Sequence, residues 1–315
     1  MRRRKHARVL QAGVIAGLLL CVGGGLPAAP TLPARLPILL DTDIGGDIDD
    51  AFAVAMAARS PQLKLLAVTT VGGNAQARAR LAAKLLQAAG RSDVPVAAGT
   101  PGKDGPVVQA RWAEGFASTS LVQQPAVELL RDEIDRAGGG VVLVAIGPLT
   151  NVAELLRRYP EVKGKIREIA LMGGSLAQGY SPGSPAIAES NIASDAAAAQ
   201  TVFRSGVPLL VAPLDATSQL QLGGKQLEAF FAHRMPLTNA VRSLYELWGQ
   251  STPTLHDVLP LSLLLAPKLC ETRATAMQVS AEGWTRVSAG TPNAEVALHC
   301  DPAKVIDRYL TSFTP

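Results

Sequence analysis

The chain has 315 residues, 48% of them hydrophobic and 18% charged, enough apolar sequence for a sizeable core and too little charge for a disordered chain. Its formal net charge of +4 overstates the basicity of the folded part, because Arg2, Arg3, Arg4, Lys5 and Arg8 crowd the extreme N-terminus. Without them the chain is near neutral, which removes the electrostatic signature of a nucleic-acid partner.

That N-terminus, MRRRKHARVLQAGVIAGLLLCVGGGLPAAP, has a cationic head, an apolar middle and small residues at Ala28 and Ala29, the pattern of a cleaved export signal. An uncleaved membrane anchor is the alternative, since Val9 to Leu26 approaches the length of a bilayer span. The expected organisation is a signal peptide over 1–29, a Pro/Ala-rich tether over 30–37 and a single domain over 38–315, periplasmic or secreted, meeting a membrane only through its export signal. Cys270 and Cys300 then remain. An oxidising compartment permits a disulfide between them, and two buried thiols are the other option.

Downstream, short apolar runs alternate with Ala/Leu-rich helical patterns. The runs PILL, LKLLAVTTV, VPVAAG, VVLVAIG, IREIALMG and VPLLVAP read as strands. Between them, DDAFAVAMAARS, AQARARLAAKLLQAAG, AVELLRDEIDRAG, NVAELLRRYP and SDAAAAQTVFRSG read as helices, three of them running into Gly90, Gly138 and Gly206. Strands apolar on both faces need helices covering both, so the pattern predicts an α/β fold with an open, mostly parallel Rossmann-like sheet flanked by helices. From about 214 to 270 the pattern turns mainly helical, followed by short candidate strands AMQVS and EVALHC and a last helix near PAKVIDRYL.

Open parallel sheets bind ligands beyond the carboxyl ends of their strands. Asp41, Asn74, the Ile146-Gly147 pair, the loop after IALMGG and Asp215 all fall there, which predicts one shared site.

The densest feature is DTDIGGDIDD, where Asp41, Asp43, Asp47, Asp49 and Asp50 share ten positions. Clustered carboxylates repel and take up protons unless a cation offsets them, and a hard ion such as Ca²⁺, with roughly six to eight oxygen ligands, is the simplest offset. An EF-hand beginning at Asp41 fails, because Gly45 and Phe52 stand where acidic ligands belong. A haloacid-dehalogenase-type phosphatase would use Asp41 as nucleophile and Asp43 as acid, but leaves the other three aspartates idle. Capping of the following helix would employ one or two of them.

DTDIGGDIDDA resembles the opening signature of the inosine-uridine preferring nucleoside hydrolase family, and VTTVGGN, IGPLTNVAELL, MGGS…AESNIASDAAAA and LHD agree with it in order across residues 36–310. The resemblance implies hydrolysis of ribonucleosides to base and ribose with a bound Ca²⁺. Its implied metal ligands are Asp43, Asp50, the carbonyl of Ile146 and Asp257. It assigns ribose contacts to Asp49, Asn74, Glu189, Asn191 and Asp257. Breaking an N-glycosidic bond builds positive charge on the ribose, so anionic surroundings, an activated water and help for the leaving base are the needs to be met. Asp43 is the candidate general base, and His256 resembles the family histidine placed to protonate the base. The family's dimers and tetramers imply a homo-oligomer. A non-catalytic nucleoside- or ribose-binding relative is the alternative outside enzymology.

Plainer roles stay open for several residues. Asn74 suits a helix cap; Glu189 and Asn191 suit a solvated loop; His256 suits a structural position. Asp215 fits either support of the site or a turn, and Tyr245 and Trp248 fit either base stacking or core. Two departures from the family stand out: Asp47 is an extra acid before the DD pair, and the segment AQGYSPGSPAI lacks the Asn that many members carry before AE. Its Gly/Ser/Pro content predicts a mobile flap, and the missing sugar contact is either lost or supplied by another residue.

Overall fold

A computed structural model describes residues 35–102 and 107–313; the expected signal peptide and most of the tether lie outside the described residues. Six apolar runs form the parallel strands β1 (Leu36–Thr42), β2 (Leu63–Thr70), β3 (Val96–Ala98), β4 (Val141–Ala145), β5 (Ile166–Met172) and β6 (Leu209–Ala212). Four further strands follow: β7 (Cys270–Thr275), β8 (Met277–Val279), β9 (Thr285–Val287) and β10 (Ala294–Cys300). The main sheet has the order β3-β2-β1-β4-β5-β6-β10-β7, and β8 and β9 form a separate ribbon. All pairings in the main sheet are parallel except β10 with β7. The sheet is open, with β3 and β7 at its edges.

Helices cover both faces, as all-apolar strands require. One apolar core packs under the helices Asp49–Arg59, Ala75–Ala88, Gly224–Ala232, Pro236–Trp248, Val258–Leu265 and Pro302–Thr311; the other lies under Ala126–Ala137, Thr150–Arg158 and Ala196–Phe203. The expected glycine stop at the end of Ala126–Ala137 is present: Gly138 caps it with φ of 75°, a conformation in which a Cβ would be strained. No helix among the described residues is long and apolar enough to cross a membrane.

Two strands escape the sequence pattern. In β7, CETRAT is polar and largely exposed at the sheet edge, where charge discourages further pairing and erases the apolar signal. β9 is three residues long, with two of them exposed. The two cysteines face each other across the β10–β7 pair and are joined as Cys270–Cys300.

The chain runs outward from β1 in both directions, to β2 and β3 on one side and to β4, β5 and β6 on the other. Between β1 and β4 the connections therefore diverge, which opens a crevice at the strands' carboxyl ends.

Candidate active site

Alternation along β1 sorts the first aspartates. Leu39 packs into one core and Ile38 and Leu40 into the other, so Asp41 and Thr42 point to opposite faces. Asp41 is wholly buried, its Oδ1 accepting from Thr69 Oγ1 at 2.6 Å and Asn151 Nδ2 at 2.8 Å. Burial, above all, raises its pKa to about 7. Thr42 faces the helix Asp49–Arg59, and its hydroxyl donates to Asp50. The turn after β1 swings Asp43 into the crevice beside Gly147, at which a Cβ would stand 2.9 Å from Asp43 Oδ1.

Asp49 and Asp50 open their helix and are buried. Neither caps it: Ile48 holds the N-cap position without a side-chain bond. Asp257, just before Val258–Leu265, comes alongside, its N–H lying 3.4 Å from Asp49 Oδ2. Carboxylate oxygens of Asp49, Asp50 and Asp257 all lie within 4.8 Å of one another. Desolvation first, and then neighbouring carboxylates, with Asp43 acting on all three, hold their pKa values well above the usual range. Asp47 is exposed at the rim, accepting from Ile48 N at 2.6 Å.

These groups line a cavity of about 300 Å³ together with Arg78, Ile146, Met172, Tyr180, Glu189, Asn191 and His256. Asn191 donates from Nδ2 to the Ile146 carbonyl at 3.2 Å, leaving that oxygen a second lone pair. Glu189 is buried and accepts from the N–H groups of Gly174, Asn191 and Ile192 at 3.0, 2.8 and 3.2 Å. Neither is a solvated loop residue. His256 Nδ1 lies 2.8 Å from Thr217 Oγ1, and burial pushes the ring's pKa down to about 4. The donor set is all oxygen, acidic and buried, the chemistry a hard divalent cation takes, so the site could hold a metal ion.

Other expected residues stand apart from this cavity. Asn74 caps Ala75–Ala88, accepting from Ala77 N at 3.0 Å, and lines a neighbouring depression beside Gly99. Tyr245 and Trp248 pack on the core, Tyr245 against Phe231 with ring centroids 5.5 Å apart. Asp215 accepts from Leu176 N and Ala177 N, both at 2.8 Å, and so fixes the base of the flap. The flap itself is cross-linked, with Gly179 N donating to Ser184 O at 3.0 Å and Ser175 Oγ to Gln178 O at 2.7 Å.

Sequence reasoning missed several cavity residues, and Arg78 and Tyr180 bear most on the chemistry. Arg78 is buried, donating from Nη1 to the Asp43 carbonyl and to Ile44 O at 3.1 Å, and from Nε to Gly72 O at 3.2 Å. Its signal was available: it shares a helix face with Leu81, Ala82 and Leu85, and a charge on an apolar face needs an internal partner. Tyr180 sits on the flap, where no periodicity exists to place it.

A profile of the inosine-uridine preferring nucleoside hydrolases matches residues 38–307. The chain belongs to that family. Its members act on N-glycosyl bonds, and the chain is a nucleoside hydrolase by that descent. Among curated relatives, the pyrimidine-specific ribonucleoside hydrolase RihA of Citrobacter koseri is 33% identical over 310 residues, covering 86% of this chain and 96% of its own. Among solved structures, a purine-preferring ribonucleoside hydrolase from Gardnerella vaginalis superposes with a TM-score of 0.76 at 26% identity, covering 88% of this chain and 98% of that one. A plant nucleoside hydrolase gives 0.75 at 25% identity, over 89% and 99% of the two chains. The phosphatase reading is not favoured, and the reason is visible at Asp41: a nucleophile needs access, and this carboxylate is sealed between Thr69 and Asn151.

Proposed function

We propose that the protein is an exported, calcium-dependent hydrolase that cleaves ribonucleosides to free base and ribose. The observation that carries this reading is the buried trio Asp49, Asp50 and Asp257, with oxygens within 4.8 Å of one another and with Asp43 and the Ile146 carbonyl on the same cavity wall. Such a cluster stays ionised only around a cation. In our assignment Asp43, Asp50, Asp257 and the Ile146 carbonyl hold the ion, with Asp49 beside them. Bound calcium would supply a Lewis-acid centre for water and for the vicinal hydroxyls of ribose.

The residues do the rest. Asp43 takes the proton of the attacking water as its oxygen bonds to C1′, while the C1′–N bond breaks and its electrons leave with the base. Asp49, Glu189 and Asn191 orient the ribose, and their anionic surroundings favour the positive charge that grows on the sugar ring. His256 is uncharged at neutral pH, given its depressed pKa. In the tautomer in which Thr217 Oγ1 donates to Nδ1, Nε2–H is the hydrogen-bond donor that His256 offers to the departing base. Export is supported by the cationic and apolar N-terminal pattern and by the Cys270–Cys300 disulfide, which belongs to an oxidising compartment.

The test is reducing-sugar release from a panel of purine and pyrimidine ribonucleosides by the mature chain beginning near residue 30, beside Asp43→Ala and after calcium removal. Ribose release that is lost in both controls is the expected result. A folded, calcium-loaded protein that cleaves none of them would instead be a ligand-binding relative. Mass determination of the exported protein checks the leader: the chain should begin near Pro30.

A further inference from the structure

The flap brings one aromatic residue to the cavity wall. Tyr180 accepts from Ser190 N at 3.0 Å, and its hydroxyl stands 3.5 Å from Glu189 Oε1. Its ring meets His256 edge-on, with centroids 5.9 Å apart and planes at 86°. The residue is 44% exposed, so the ring has one free side. It is held in place from below, because Asp215 binds the backbone of Leu176 and Ala177, and Gln178 donates to Ser218.

The hydroxyl is poorly used. As acceptor it has Ser190, through the backbone N–H and the side chain, whereas the carboxylate oxygen that its own proton faces stands at the limit of hydrogen-bond distance. Glu189 Oε1 already accepts from Asn191 N at 2.8 Å. A hydroxyl group entering between Tyr180 and Glu189 would accept from the one and donate to the other, completing both.

Ribose offers two kinds of hydroxyl. The vicinal 2′,3′ pair is the one a cation can chelate, and the acidic trio with Asp43 claims that end of the sugar. The primary 5′-hydroxyl then falls to the rest of the wall, where Tyr180 and Glu189 stand side by side. We infer that Tyr180 is a specificity-determining residue whose hydroxyl, with the Glu189 carboxylate, recognises the primary 5′-hydroxyl of the ribose. It supplies the sugar contact that the flap's missing Asn leaves open.

This inference rests on the proposed function for the site, and its test separates the two. Calorimetry on the calcium-loaded protein, with methyl β-D-ribofuranoside and its 5-deoxy analogue as probes, measures recognition without turnover. The wild type should bind the 5-hydroxyl form about tenfold more tightly, and Tyr180→Phe, which keeps the ring, should bring the ratio close to one. In parallel, the kcat/KM advantage of inosine and uridine over their 5′-deoxy analogues should shrink about tenfold in Tyr180→Phe. An unchanged ratio in the variant, or no discrimination by the wild type, overturns the role of Tyr180 and leaves the hydrolase standing. Furanoside discrimination without cleavage of any nucleoside would overturn the hydrolase and leave Tyr180 as a sugar-recognition residue.

Discussion

Asp41 and Asp43 are two residues apart in the chain and meet opposite surroundings. The first is clamped inside the sheet and held near neutral by desolvation, with a pKa raised to about 7; the second is turned out by the end of β1 into the cavity. Asp49, Asp50 and Asp257 are shifted in the same upward direction as Asp41. For an acid whose native pKa exceeds its unfolded one, the unfolded chain releases its proton first, so stability is full at low pH and falls as pH rises through the shifted range. His256 has the opposite sign: between its native value of about 4 and its ordinary 6.5, stability rises with pH. Four acids outweigh one base, so the metal-free protein should lose stability as pH rises above the ordinary carboxylate value of about 4. Calcium relieves that repulsion only when the carboxylates are ionised. Its melting-temperature gain, measured by thermal shift against a chelator, should be larger at pH 8 than at pH 5; an equal or smaller gain would count against the aspartates as ligands.

At the scale of elements, the junction between β4 and Thr150–Arg158 shows how backbone shape serves side-chain chemistry. Gly147 leaves room for Asp43: an added Cβ would lie 2.9 Å from both Asp43 Oδ1 and Val71 Cγ1, and 3.0 Å from Asp43 N. Gly147→Ala should therefore displace Asp43 and lower kcat/KM by about 100-fold, while circular dichroism shows the fold retained. Near wild-type activity would mean that Asp43 moves freely. The elements around this junction were legible because their strands are apolar on both faces and their helices carry a clear periodicity. The acidic motif was legible because five aspartates in ten positions have few structural uses. Arg78 carries a thin signal, one charge on the apolar face of an Ala-rich helix, and Tyr180 lies on a flap whose turns carry no period. Asn74 was readable as a cap from its place before an Ala-rich helix, and its Oδ1 accepts from Ala77 N.

For the whole molecule, the polar edge strand β7 is attached by more than its ladder. Cys270–Cys300 closes a loop with a sequence separation of 30, for which loop-closure entropy gives about 3–4 kcal/mol of stabilisation. Replacing both cysteines by alanine should lower the denaturant midpoint accordingly. Because the bond lies across the sheet from the acidic cavity's β1–β4 crevice, calcium affinity of the folded variant should be unchanged. A midpoint equal to that of the wild type would show that the edge is held by its other contacts. Asp49 and Asp257 approach each other across 208 positions of sequence; Asp43 lies just before the first, and Arg78, Ile146, Glu189, Asn191 and His256 come from between them. Such a site has no local precursor: a nascent chain carries only scattered, weak carboxylates until the last of these segments has docked. Tight ion capture then marks the end of assembly, and a metal-sensitive protease assay would separate finished molecules from those still missing their C-terminal third.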